Sequence, residues 1–337
     1  MGKFIVQRFM WMILVLFVVA LTTFLLMHAV PGGPFSQDKQ LPQQTIAQLN
    51  AKYNLDEPLH LQFIHYLSDI LIPVVTRGEQ SNSLDHEYLI NLPLNTADDA
   101  TLRWMDFGPS FKSISRSVND IFRENFPISF QLGVVSILIA TAIGFPLGLL
   151  SALKRNTIFD YAGMTVAVAG VSITVIITAP VLQYLFGVQW RLLPLTGWGN
   201  VNQMILPALT LGFGEAALIA RLTRASLLQV MTEDYIRTAR AKGMSEGRVI
   251  SAHALKNGMI PVVTVFGPMI AYLVTGTFVV EGIFGIPGMG RFFVTSITGR
   301  DYPVIMGTIL VFATLLVIAN TIVDIVYVYL DPRIRYS

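Results

Sequence analysis

The sequence predicts an all-α integral membrane protein. Three observations carry this. Hydrophobic residues make up 53% of the 337 residues and charged residues only 13%, with a mean hydropathy of +0.59. A soluble chain averages about 25% charged residues, so the polar exterior that water demands is missing. Apolar runs long enough to cross a bilayer, about 18 residues or more, recur along the chain. Lys and Arg also fall unevenly on the two sides of those runs, as they do in multi-pass proteins. The net charge of +2 gives no reason to expect nucleic acid as a partner; the partner that this composition requires is the lipid bilayer. Cys is absent, which excludes disulfide scaffolds, thiolate metal sites and cysteine catalysis.

The first span is Phe9–Ala29, preceded by Lys3 and Arg8. Its apolar stretch exceeds the roughly 7–15 residues of a signal peptide, and no small-x-small cleavage site follows before Pro31-Gly32-Gly33-Pro34, so it reads as a retained helix. Five further spans are expected near 128–153, 160–187, 204–225, 259–281 and 303–330. They contain Pro146, Pro180, Pro207 and Pro268, which neighbouring helices can accommodate in a membrane. Gly144 and Gly148 form a small-xxx-small pair and predict close helix packing.

Orientation follows from the short loops. With the N-terminus inside, thirteen Lys and Arg residues lie on the inner side, while the short outer loops hold only Arg191, Arg291 and Arg300. Both termini are then cytoplasmic. The long segment 31–126 carries seven basic and twelve acidic residues and is expected as an acidic outer domain. Within it, 41–72 has helical apolar spacing, and 76–103, rich in Asn, Ser, Asp and Thr, reads as an irregular loop or insertion. The organisation expected is therefore residues 1–30 as N-terminal tail and first span, 31–126 as extracytoplasmic domain, 127–330 as the membrane core with the loop 226–258, and 331–337 as a cytoplasmic tail.

Catalytic signatures are missing. There is no G-x-x-x-x-G-K-[ST] phosphate loop, so no nucleotide site is expected in this chain, and no H-E-x-x-H metal motif. Gly212-Phe213-Gly214-Glu215 approaches the G-x-G-D pattern of intramembrane aspartyl proteases, but with Glu for Asp and without a tyrosine–aspartate partner. No catalytic residue, metal or cofactor is expected. Ionisable residues inside spans are costly and are functional candidates by default: here Glu215, Arg221, Glu281 and Asp324. Arg221 and Asp324 lie near the cytoplasmic ends, where snorkelling or capping accounts for them. Glu281 borders the glycine-rich stretch 282–290, and its carboxylate is expected to pin that loop through backbone N–H groups, a role that ranks above substrate contact in the pathway. Glu215 lies nearer mid-bilayer, and either pairing with another helix or lining a polar pathway would explain it.

The loop between spans four and five is the most informative. Asp234, Tyr235, Ile236, Arg237, Thr238, Ala239, Arg240, Ala241, Lys242 and Gly243 predict a short helix. Thr232 is the expected N-cap, the acids that follow suit the positive helix end, and Arg240 and Lys242 suit the negative end. Gly243 is the expected left-handed stop, and Ser245-Glu246 the start of a second short helix. Such a helix could rest on anionic lipid or act as a lever in the groove of a cytoplasmic partner.

This stretch, with His253-Ala254-Leu255-Lys256-Asn257 and Pro261-Val262-Val263-Thr264, resembles the cytoplasmic loop of peptide-importing ABC permeases. The resemblance extends to Glu281-x-Ile283-Phe284-x-x-Pro287-Gly288-x-Gly290, Arg300-Asp301-Tyr302-Pro303 and Asp331-Pro332-Arg333-Ile334. At the other end, Pro31-Gly32-Gly33-Pro34-Phe35-Ser36 and Asp106-Phe107-Gly108-Pro109-Ser110-Phe111 are similar to the first oligopeptide-permease subunit. The chain departs from the general importer signature in having Arg237-Thr238-Ala239 where Glu-Ala-Ala stands, and in the insertion around 78–102. The resemblance implies the type I ABC importer permease fold in a bacterial plasma (inner) membrane. It implies a second homologous permease subunit, two cytoplasmic ATPases that bind ATP and Mg, and an extracytoplasmic binding protein that delivers oligopeptide. It also places the 233–243 helix in the ATPase groove as coupling helix. Within the family the cargo could instead be a dipeptide, a nickel chelate, haem or an antimicrobial peptide. An ion-coupled carrier would need more buried carboxylates than Glu215 and Glu281, and an intramembrane hydrolase would need the catalytic pairs that are missing.

Overall fold

The computed structural model describes residues 2–35, 42–76, 88–94, 100–113 and 116–330. Helices dominate. They are α1 (Gly2–Ala29), α2 (Gln43–Lys52), α3 (Leu59–Leu71), α4 (Val118–Leu153), α5 (Ile158–Ser172), α6 (Val175–Gln189), α7 (Val201–Val230), α8 (Asp234–Ala241), α9 (Glu246–Gly258), α10 (Ile260–Thr275), α11 (Phe278–Phe284), α12 (Gly290–Gly299) and α13 (Tyr302–Leu330). The chain divides into two compact units, a larger one of 1–8, 128–288 and 314–337, and a smaller one of 9–127 and 289–313.

Four helices are long and apolar enough to cross a membrane: Val6–Ala29, Val118–Leu153, Val201–Val230 and Tyr302–Tyr327. Two bent pairs, α5 with α6 and α9 with α10, bring the number to six if each is one span. The third expected span, 160–187, is therefore not straight but turns by 111° between its halves. The β-branched Ile173 and Thr174 take extended backbone angles there, which ends α5 before α6 begins. The fifth expected span, 259–281, ends early for a related reason. Gly276 at φ 102° interrupts it, and Phe278–Phe284 forms a separate helix.

The larger unit is packed around Leu132, Leu206, Ile219, Met269, Leu273 and Phe284. The predicted small-residue pair is central to it. A Cβ on Gly144 would lie 2.4 Å from the Ala216 carbonyl oxygen, and one on Gly148 would lie 2.5 Å from that of Ala220. Only glycine lets α4 and α7 approach this closely, so backbone packing replaces the hydrophobic drive that lipid does not supply.

The smaller unit contains two apolar clusters. Ala20, Phe24 and Met27 of α1 pack on Phe63 of α3 and on Tyr302, Ile305 and Met306 of α13. Ile70, Phe107, Val118, Ile121 and Phe122 pack with Met289 and Val304. The helical spacing read over 41–72 becomes α2 and α3. The irregular loop expected over 76–103 is corrected in part, because an antiparallel sheet of order β1-β3-β2 stands there, from Val74–Thr76, Thr101–Trp104 and Ile90–Pro93. Leu102 sits opposite both Val75 and Leu92, an apolar row across the three strands. The polar composition that suggested a loop belongs largely to 77–87 and 95–99, which lie outside the described residues.

Candidate functional site

The segment after α7 builds the predicted short helix. Thr232 does not cap it; its hydroxyl bonds back to the Gln229 carbonyl at 2.7 Å, and Glu233 occupies the N-cap position in extended conformation. A Thr side chain at the end of a long helix has that preceding carbonyl within reach, and the local bond wins. Helix α8 runs Asp234–Ala241 with Lys242 as C-cap. Gly243 follows at φ 75°, the left-handed stop read from the sequence, and its N–H bonds the Arg240 carbonyl at 2.9 Å. Ser245 then occupies the N-cap position of α9 in extended conformation, without a capping side-chain bond.

One face of α8 is buried. Ile236 and Ala239 point into an apolar cluster with Ala152, Leu227, Val249 and Ala254. Two polar contacts fasten the rest. The Arg240 guanidinium donates to both carboxylate oxygens of Glu246, at 2.8 and 3.3 Å, and the Asn257 amide donates to the Tyr235 hydroxyl at 2.8 Å. The remaining face, with Asp234, Arg237, Thr238, Ala241 and Lys242, is exposed. Of the ten residues read as one contact set, Ile236 and Ala239 are therefore buried in the seat, Tyr235 and Arg240 fasten the helix to α9, and the others are exposed.

Glu215 sits on α7 in a cleft of about 260 Å³, shared with Thr178, Thr210, Phe213 and Tyr272. It is half-buried, and among the described residues its carboxylate makes no hydrogen bond or ion pair. Glu281 is different. It is 1% exposed, and Ser129 donates to its Oε1 at 2.6 Å. A Cβ on Gly288 would lie 2.4 Å from its carboxyl carbon, so the loop after α11 closes directly over the carboxylate. Glu215 and Glu281 are on separate elements and only Glu215 borders this cleft. Asp324 pairs with Arg8.

Two polar arrangements were not read from the sequence. The Arg224 guanidinium donates to both oxygens of the buried Asp160 at 2.6 and 2.7 Å, joining α7 to the start of α5. These residues are 64 positions apart, and each taken alone reads as an ordinary charge near a helix end. In the smaller unit, the buried Asp301 carboxylate accepts from Ser110 Oγ at 2.5 Å and from the backbone N–H groups of Phe111 and Lys112 at 3.1 and 3.3 Å. Arg300 donates to the carbonyls of Pro31 and Gly32, both at 2.9 Å, and Tyr302 donates to that of Met27 at 3.3 Å. Three motifs that the sequence shows only as separate strings thus meet at one place through their described residues 31–35, 106–111 and 300–303.

Long apolar helices packed through glycine contacts, with a short helix fastened between two spans, define a multi-pass helical membrane protein. The model of the binding-protein-dependent transport system inner membrane component matches residues 144–336, and that of its N-terminal part matches 1–83. The chain belongs to this family and is a permease component of an ABC importer. Among its relatives, the dipeptide transport system permease protein DppB of Bacillus subtilis is 42% identical over 99% of this chain and 98% of that protein. The oligopeptide transport system permease protein OppB of Haemophilus influenzae is 37% identical over the full length of both. The solved inward-facing MetNI methionine ABC transporter is 20% identical and superposes with a TM-score of 0.50, covering 63% of this chain and 96% of that one; the likeness is one of fold.

Proposed function

We propose that this permease imports peptides, taking them from an extracytoplasmic binding protein and moving them by alternating access with a second permease subunit and two cytoplasmic ATPases. The full-length similarity to dipeptide and oligopeptide permeases supports the cargo class. Oligopeptide is the first reading, and dipeptide the second. Both termini and α8 lie on the cytoplasmic side in this reading, in agreement with the Lys and Arg distribution.

The observation that carries the coupling role is the two-faced construction of α8. Its seat is apolar and buried while Asp234, Arg237, Thr238 and Lys242 stand exposed at the end of a fastened helix. A lever has to be rigid at its base and free at its contact face. ATP-driven closure of the ATPases would carry the two coupling helices together and shift the spans between inward-open and outward-open states, provided that ATP favours one state by several kcal/mol. Glu281 acts in this reading as a structural pin for the 282–290 loop, and Glu215 as a polar group of the pathway. Cysteine is absent, so a single engineered thiol is unambiguous. Thr238→Cys carrying a benzophenone maleimide should form a covalent adduct with an ATPase subunit on illumination of the assembled complex. Adducts with lipid alone would contradict the coupling role.

A further inference from the structure

We propose that the cleft in the smaller unit bounded by the end of α1, α3, the turn 106–111 and the start of α13 binds a primary ammonium group carried on a compact apolar body. The cleft measures about 410 Å³, within the range of about 300–1,000 Å³ typical of small-molecule sites. Its walls are aromatic and aliphatic, with Phe24, Phe107, Phe111 and Met306 among them. The proposal does not rest on the transport reading.

The polar groups in the cleft decide the ligand class. His28 Nδ1 lies 2.8 Å from the Phe24 carbonyl oxygen. A carbonyl only accepts, so Nδ1 carries the proton and Nε2 keeps a lone pair. That Nε2 is buried with no hydrogen-bond partner among the described residues, and the Tyr66 hydroxyl is in the same position. Asp69 adds a carboxylate to the same cleft. Desolvation raises its pKa against the opposing pull of His65 and Ser68, and a cation placed beside it would lower it again. An imidazole lone pair, a hydroxyl and a carboxylate together offer acceptor capacity.

A neutral alcohol brings one donor and could satisfy only one acceptor. An ammonium brings three donors and a positive charge, and aromatic walls attract cations on their faces. The other ionisable groups in the cleft have partners of their own, His65 acting also on Asp69. Asp106 accepts the Gly108 N–H at 2.8 Å, His65 faces Glu57 at 3.3 Å, and the Lys52 ammonium sits 5.4 Å from the Tyr53 ring centroid. Among the described residues no group of three His, Asp or Glu could hold a metal ion.

Two sources share this chemistry: the free amino terminus of a peptide and the ethanolamine headgroup of a lipid. The test uses the full transporter complex in nanodiscs made only of phosphatidylcholine and phosphatidylglycerol, titrated with phenethylamine by calorimetry. Saturable binding is expected, with none for N-acetylphenethylamine. Asp69→Asn should weaken binding about ten-fold or more, the loss expected for one charged hydrogen bond. Tyr66→Phe, which deletes one hydroxyl, should weaken it less and provides the decision if Asp69→Asn does not assemble. Equal binding of the acetylated probe, or wild-type affinity in Tyr66→Phe together with any assembled Asp69→Asn, would overturn the proposal. Displacement by a free-amino dipeptide would assign a peptide terminus, and displacement by lysophosphatidylethanolamine a lipid headgroup. Displacement by the N-acetylated dipeptide would contradict the site.

Discussion

Asp301 shows how one carboxylate can organise a region that has no long secondary structure of its own. It is 5% exposed and accepts from one hydroxyl and two backbone N–H groups around residues 110–112. The Lys112 N–H also reaches Ser110 Oγ at 3.3 Å, but each bond to a charged acceptor contributes about 1.5–3 kcal/mol. Asp301→Ala should therefore lower the melting temperature of the purified complex by several degrees, whereas Asp301→Asn, which keeps one acceptor oxygen, should lower it less. An unchanged melting temperature in Asp301→Ala would show that the 106–112 turn is held by its aromatic packing alone. Glu215 is the opposite case, an intramembrane carboxylate with no hydrogen bond or ion pair among the described residues. If it lines the pathway, Glu215→Gln should leave the yield of the complex unchanged and reduce uptake of cationic peptides more than that of anionic ones. Equal uptake of both would remove it from the pathway.

At the scale of elements, glycine positions separate packing from mere tolerance. Gly148 abuts the backbone of α7, whereas a Cβ on Gly247 in α9 would meet nothing within 4 Å. Gly148→Leu should thus cost about 1–3 kcal/mol or more through overpacking and reduce the amount of assembled complex, while Gly247→Leu should leave it near wild type. Comparable yields for the two variants would contradict the glycine-mediated contact of α4 with α7. The small-xxx-small spacing made that contact legible in the sequence, and so did the α8 stop at Gly243, because each depends on local chemistry. The bends of α5–α6 and α9–α10 were not legible. Hydropathy integrates over a span and does not register where backbone angles change. The convergence of Asp301 on Ser110 was likewise hidden, since 191 positions separate them and neither residue type specifies a distant partner. The seat-and-surface division of α8 lay between these extremes. The residues named the helix, but only tertiary packing shows that Ile236 and Ala239 face inward.

For the whole molecule, the central proposal is that this chain provides a pathway and a lever while partner ATPases supply the energy. The family membership, the absence of a phosphate-loop motif from the sequence and the exposed face of α8 agree with that division of labour. Orientation is part of the same claim. With His60→Cys and Ser245→Cys in separate variants, an impermeant thiol reagent added to intact cells should label the first and spare the second; the reverse pattern would put α8 on the wrong face for an ATPase. The most direct measurement is uptake of a fluorescent peptide into proteoliposomes that hold this permease, its partner permease and the ATPases, with the binding protein on the opposite side from α8. Accumulation should require ATP on the α8 side and vanish when the ATPases are omitted, whereas accumulation driven by a proton or sodium gradient without ATPases would contradict the account.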